Sequence, residues 1–208
     1  MIGTLDQMIQ SILEFLGSIA FAITGISEAA RKKYDILGCF ICGSAVAIGG
    51  GTIRDLLLGV PVFWLTSPSY LIATTLGLVM SSRKSGIVKG STIIFDTIGL
   101  ASFSIMGLEK TLLLGYPWWV AVGMGTITGS AGGLVRDLLL NEEPCLLRKD
   151  LYATSSILGG VVYIILYNLI GITIITELIS FLSIIIMRYL ALKYKLNLPS
   201  IRKQQTYE

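Results

Sequence analysis

The sequence predicts an all-α membrane protein: seven transmembrane helices, arranged as two inverted three-helix repeats plus one C-terminal helix. Three observations predict it. The 208 residues are 53% hydrophobic and only 14% charged, with a mean hydropathy of +0.77, whereas a soluble domain carries about a quarter charged residues. There are 23 glycines, a residue commoner in membrane-spanning helices than in soluble ones. And the motif GGGTIRDLLLG, Gly49 to Gly59, returns as AGGLVRDLLLN, Ala131 to Asn141, so that Arg54 becomes Arg136 and Asp55 becomes Asp137, 82 positions on.

The same offset, without a gap, aligns Glu14 with Asp96, Gly17 with Gly99, Phe21 with Phe103 and Gly25 with Gly107. It also aligns Gly43 with Gly125, Tyr70 with Tyr152, and Gly77 with Gly159. The chain is an internal duplication.

A spanning helix needs about 20 predominantly apolar residues at 1.5 Å each. The first segment covers about 8–28 and ends at a basic turn, Arg31, Lys32 and Lys33. The second covers 36–58 and holds the glycine cluster; after Pro61 and Trp64 the third covers about 68–82. A second basic turn, Arg83, Lys84 and Lys89, opens the other repeat, whose first helix is expected over 87–108. Tyr116, Pro117, Trp118 and Trp119 introduce the fifth segment, ending near 140, and a charged loop over 142–150 precedes the sixth, 151–167. Repeat one thus spans about 8–82 and repeat two about 87–167. A seventh helix, about 170–190, has no counterpart, and 191–208 is a polar, basic tail. The whole is read as a single transmembrane domain.

Nearly all lysines and arginines then fall on one side: the turns at 31–33 and 83–89, Arg148, Lys149, Arg188, Lys193, Lys195, Arg202 and Lys203. Only Lys110 falls on the other, and Arg54 and Arg136 lie within spans. The positive-inside rule places the C-terminus in the cytoplasm and the N-terminus outside, in the cell membrane. The three tryptophans mark the outer boundary. Because a three-helix unit ends on the side opposite its start, the two copies must be inverted. Inverted repeats with discontinuous helices at matching positions point to a central substrate or ion pathway.

Composition excludes several function classes. Basic residues flank apolar spans and form no soluble patch, so no nucleic-acid partner is expected. The absence of histidine removes the usual zinc ligand and the usual acid–base catalyst, and no nucleophile-plus-base pattern suggests an enzyme. No cofactor and no metal site are expected. Cys39 and Cys42 form C-x-x-C inside a span without a second pair and read as small core residues.

Glycine costs about 1 kcal/mol relative to alanine in a helix interior. Gly49, Gly50 and Gly51, and again Gly132 and Gly133, are therefore expected to break the second and fifth helices. A break would free carbonyls that can coordinate a cation. The T-x-x-D pattern from Thr52 to Asp55 would restart the second helix by capping. Neighbouring residues on a helix point about 100° apart, so Arg54 and Arg136 are expected to find partners beyond Asp55 and Asp137. Such charges are costly in a bilayer and read as functional. Glu14 and Asp96, at matching repeat positions, are candidates of the same kind, or acids bonded to neighbouring hydroxyls; Glu177 also lies within a span. Thr128 and Ser130 either line a pathway or bond their own helix.

These residues resemble the trimeric intracellular cation channel (TRIC) family: two inverted three-helix repeats, a lone seventh helix, and GGG-x-x-RD echoed by GG-x-x-RD. The resemblance covers residues 8–190 and is of the prokaryotic type. It implies a homotrimer in a lipid bilayer, each protomer holding its own pathway for monovalent cations, with potassium the permeant ion. It implies that the glycine-broken second and fifth helices line that pathway, so Gly49, Gly50, Gly51, Arg54, Asp55, Gly132, Gly133, Arg136 and Asp137 carry over. Ala131 stands in place of the first glycine of the second copy. The alternative is a secondary transporter of a small solute such as glycine, with Arg54 and Arg136 holding the substrate carboxylate.

Overall fold

The computed structural model describes residues 2–83, 89–147 and 151–198. Among them are seven α-helices: α1 (Ile2–Arg31), α2 (Ile36–Leu58), α3 (Ser69–Arg83), α4 (Lys89–Leu113), α5 (Trp118–Leu139), α6 (Ala153–Ile170) and α7 (Ile174–Tyr194). Five of them, all but α3 and α5, are long and apolar enough to cross a membrane. α3 has 15 residues. α5 faces protein along much of its length, burying Ala121, Gly125, Gly129 and Gly133 among others. Lys84, Arg148, Lys149, Arg202 and Lys203, on which part of the orientation rests, lie outside the described residues.

The duplication is visible in the backbone. α1 and α4 each end in a residue of positive φ, Lys33 at 64° and Gly115 at 80°. After each, an amide bonds back across the turn, Tyr34 N to the Ala29 carbonyl and Tyr116 N to that of Thr111. α2 and α5 end likewise, at Gly59 (φ 66°) and Asn141 (φ 53°). Glycine and asparagine are the residues that tolerate this left-handed cap. A single 3₁₀ turn follows each cap, Phe63–Leu65 and Cys145–Leu147. Every one of these pairs is separated by the sequence offset of Arg54 and Arg136.

Some helix starts are explained locally. The Asp35 carboxylate accepts the Gly38 amide at 2.7 Å and caps α2, whereas Pro117 begins α5 with no side-chain cap. Thr173 caps α7 through the Thr176 amide at 3.2 Å. Gly171, at φ 76°, turns the chain between α6 and α7, so α7 starts later than the sequence suggests.

The expectation of broken helices is corrected. α2 and α5 run without interruption through Gly49–Gly51 and Gly132–Gly133. The glycines serve contact instead. A Cβ at Gly50 would lie 2.0 Å from the Thr128 carbonyl oxygen, and one at Gly132 would lie 2.8 Å from that of Val46. These two contacts are repeat mates, and they let α2 and α5 cross backbone against backbone. The propensity cost of glycine is small beside the close packing it permits. Thr52 restarts nothing: its hydroxyl bonds the Ile48 carbonyl at 2.7 Å within the continuous helix and receives the Trp64 indole N–H at 2.9 Å.

Candidate functional site

The charges gather at the two ends of the crossed α2–α5 pair. Arg54 and Asp55 are 2% and 0% exposed. Arg54 Nε donates to Asp55 Oδ1 at 2.8 Å, so the arginine bonds its own neighbour, while the expected contacts between helices are made by Lys110 with Asp55 and by Arg136 with Asp96. Long side chains bend back to reach the adjacent carboxylate. Asp55 is then completed from outside its helix: Lys110 Nζ on α4 donates to Oδ1 at 2.8 Å, and the Phe63 amide donates to Oδ2 at 2.9 Å. The Arg54 guanidinium also lies 5.6 Å from the Phe63 ring centre.

The second end repeats the pattern with different partners. Arg136 Nε donates to Asp137 Oδ1 at 2.9 Å, and the Cys145 amide donates to Asp137 Oδ2 at 2.8 Å. Phe63 and Cys145 are repeat mates, so one backbone device fixes both aspartates. In addition, Arg136 Nη1 reaches Asp96 Oδ1 on α4 at 2.5 Å, joining α4 to α5. Both pairs sit toward the C-terminal ends of α2 and α5, where the helix dipole favours a cation. The helix restart expected after the glycines therefore does not exist.

Glu14 and Asp96 are repeat mates that differ in state. Asp96 holds Arg136, while Glu14 accepts the hydroxyl proton of Tyr70. Beside Glu14 a cavity of about 830 Å³ opens at the Arg54 end. Glu14, Arg54, Phe63, Tyr70, Lys110 and Met106 are among the residues that line it. Of the other expected site residues, Thr128 and Ser130 bond their own helix, through the Met124 and Thr126 carbonyls at 2.6 Å each. Gly51 lies against the Phe63 ring, Gly133 against the Tyr152 hydroxyl, and Gly49 against Val135.

Lys110 and Tyr70 complete the first cluster, yet sequence reasoning used Lys110 only to orient the chain. The repeat gave no signal for it, because its mate is Glu28, which pairs with Arg31 at 2.7 Å. The lysine and arginine pattern groups Arg188 with the cytoplasmic basic residues. It is instead buried, at 4% exposure, with its guanidinium 4.9 Å from the Tyr152 ring centre. Each end thus holds two cations and two carboxylates: Arg54, Lys110, Asp55 and Glu14 at one, Arg136, Arg188, Asp137 and Asp96 at the other. Among the described residues no group of three or more acidic or thiol side chains forms a metal site.

The glycine transporter family matches residues 11–82 and 93–168, one block in each repeat. The chain belongs to that family. A UPF0126 membrane protein of Vibrio cholerae is 36% identical over 202 residues, 94% of this chain and 84% of that protein. The UPF0126 inner membrane protein YadS of Escherichia coli K12 is 34% identical over 194 residues, 90% of this chain and 94% of its own length. Among solved structures, the TRIC trimeric intracellular cation channel orthologue from Rhodobacter sphaeroides superposes with a TM-score of 0.85 at 32% identity. The match covers 90% of this chain and 99% of that one. This member of the glycine transporter family is therefore a multi-pass membrane protein with the TRIC fold.

Proposed function

We propose that this chain is a homotrimeric channel for monovalent cations, potassium first, with one pathway in each protomer. In this reading the chain, 1–208, forms a single transmembrane domain in the cell membrane, the N-terminus outside and the C-terminus cytoplasmic. The pathway follows the α2–α5 crossing, past Gly49, Gly50 and Gly51 and past Thr128, Ser130, Gly132 and Gly133, and it opens only when the backbone contacts of Gly50 and Gly132 part. The Arg54–Asp55 and Arg136–Asp137 pairs, with Glu14 and Asp96, stand at its ends.

One observation carries this reading. The cavity of about 830 Å³ at the Arg54 end is lined by Glu14, Arg54 and Lys110 among others, inside a fold that a cation channel orthologue shares at TM-score 0.85. Carboxylates at a pore mouth raise the local cation concentration. The arginines neutralise them at rest, so conduction requires the pairs to loosen. Intramembrane charges of this kind mark ion paths. A channel or a transporter, and no enzyme, accounts for such a site. Potassium efflux from proteoliposomes tests the proposal: it should exceed that from empty liposomes and fall in Asp55→Asn. Efflux no faster than from empty liposomes counts against it.

A second reading has its own support. The glycine transporter family matches both repeats, and the cavity offers cationic groups, Arg54 and Lys110, together with an acid, Glu14. A zwitterion such as glycine presents the complementary charges. Saturable glycine uptake without unitary current would favour a carrier.

A further inference from the structure

The buried face of α7 presents Thr176, Ser180, Ile184, Arg188 and Ala191 at helical spacing. One of these is a guanidinium. Arg188 Nε and Nη1 are buried without a hydrogen-bond acceptor, and its contact with the Tyr152 ring leaves those donors open. Burying a charge with unfilled hydrogen bonds is unfavourable. The Tyr152 ring lies against Arg188, while its hydroxyl lies near Asp96. A Cβ at Gly133 would stand 2.9 Å from that hydroxyl and 3.6 Å from Asp96 Oδ1.

We infer that Arg188 is the alternative partner of Asp96, and that moving this carboxylate from Arg136 to Arg188 opens the seam between α4 and α5. The exchange leaves no charge alone. Arg136 keeps Asp137, to which Nη2 already donates at 2.8 Å, and Asp96 fills the open donors of Arg188. The charged bond between α4 and α5 at this end is lost, while the close packing at Gly107, Gly125 and Gly129 still holds the rest of the two helices together. The Arg54 end displays the corresponding separated arrangement: Glu14 is bonded to Tyr70, Arg54 to Asp55, and the cavity lies between them. This assignment rests on the charge clusters being the gated ends of a pathway; its test does not depend on what the pathway carries.

The test uses the full chain with Cys39, Cys42 and Cys145 changed to serine. Thr92→Cys places a thiol one turn from Asp96 on α4, at a position 5% exposed. Labelling by a membrane-impermeant maleimide is followed in liposomes from the side carrying the C-terminus. Arg188→Gln should slow labelling about fivefold or more, the lower end of ordinary coupling between sites, and Arg188→Lys should fall between. Asp96→Asn, in which neither arginine can hold the seam, should label fastest whether position 188 is arginine or glutamine. Equal rates for Arg188 and Arg188→Gln, or no acceleration in Asp96→Asn, overturns the exchange. The expected order in a protein that passes no potassium current would keep the exchange and remove the channel.

Discussion

Phe21 and Phe103 stack face to face, their ring centroids 5.3 Å apart and their planes 5° from parallel. They are the same position of the two repeats. A two-fold relation that maps one repeat onto the other must therefore pass between these rings. Around them the packing obeys the same symmetry. A Cβ at Gly99 would strike the Phe21 ring at 2.2 Å, and one at Gly17 would meet the Phe103 ring at 3.5 Å. The core at this axis holds the α2–α5 crossing, and the charge clusters lie on either side of it.

Gly50→Ala should destabilise the protein far more than Gly49→Ala. The new methyl at position 50 meets a backbone carbonyl at 2.0 Å, which cannot move aside, whereas at position 49 it meets the Val135 side chain at 3.3 Å. Overpacking costs about 1–3 kcal/mol where neighbours yield. Thermal unfolding in detergent should show a clear loss for Gly50→Ala and little change for Gly49→Ala; equal midpoints would mean the helices do not cross here.

Asp55→Ala leaves Arg54 and Lys110 buried or half-buried without their shared acid. Breaking a buried pair costs about 3–5 kcal/mol. Adding Arg54→Ala should restore part of that loss, because the stranded guanidinium is gone, so the two changes will be non-additive. A double-mutant cycle on the unfolding midpoint measures the coupling, and simple additivity contradicts the bond.

Cys145 sits beside Asp137 with intermediate exposure, while Cys39 and Cys42 are buried. An impermeant thiol reagent should modify Cys145 first, and from the side on which α5 ends. The salt bridge from Lys32 to Glu142 puts the end of α1 on that same side. Labelling restricted to the cytoplasmic face would agree with the lysine and arginine distribution; labelling only from outside would invert the topology.

Lys110→Gln removes a cation, one-third exposed, that lines the cavity. With one positive charge fewer at the mouth, potassium conductance should rise, most strongly at low ionic strength where screening is weak. The ratio of mutant to wild-type conductance at low and high salt checks this.

The seven helices and their duplication were legible in the sequence because both are written as spacing: apolar length for the helices, one fixed offset for the repeats. The role of the glycines was not. Helix propensity favours a break at Gly49–Gly51, but packing against α5 outweighs it, and a partner helix is invisible in a local window. Arg54, Asp55, Arg136 and Asp137 were found because charge in a span stands out. Lys110 and Arg188 were missed since each lies near a helix end among residues that normally face water or headgroups. For Arg188 the step of four residues from Thr176 through Ser180 and Ile184 was the available clue.

Whether this duplicated bundle conducts cations is read in a planar-bilayer recording from the purified protein. With a potassium gradient and an impermeant anion, unitary current steps should reverse near the potassium equilibrium potential. A silent bilayer, alongside saturable glycine uptake by the same preparation in liposomes, would contradict cation conduction and make Arg54 and Lys110 groups that hold a substrate carboxylate.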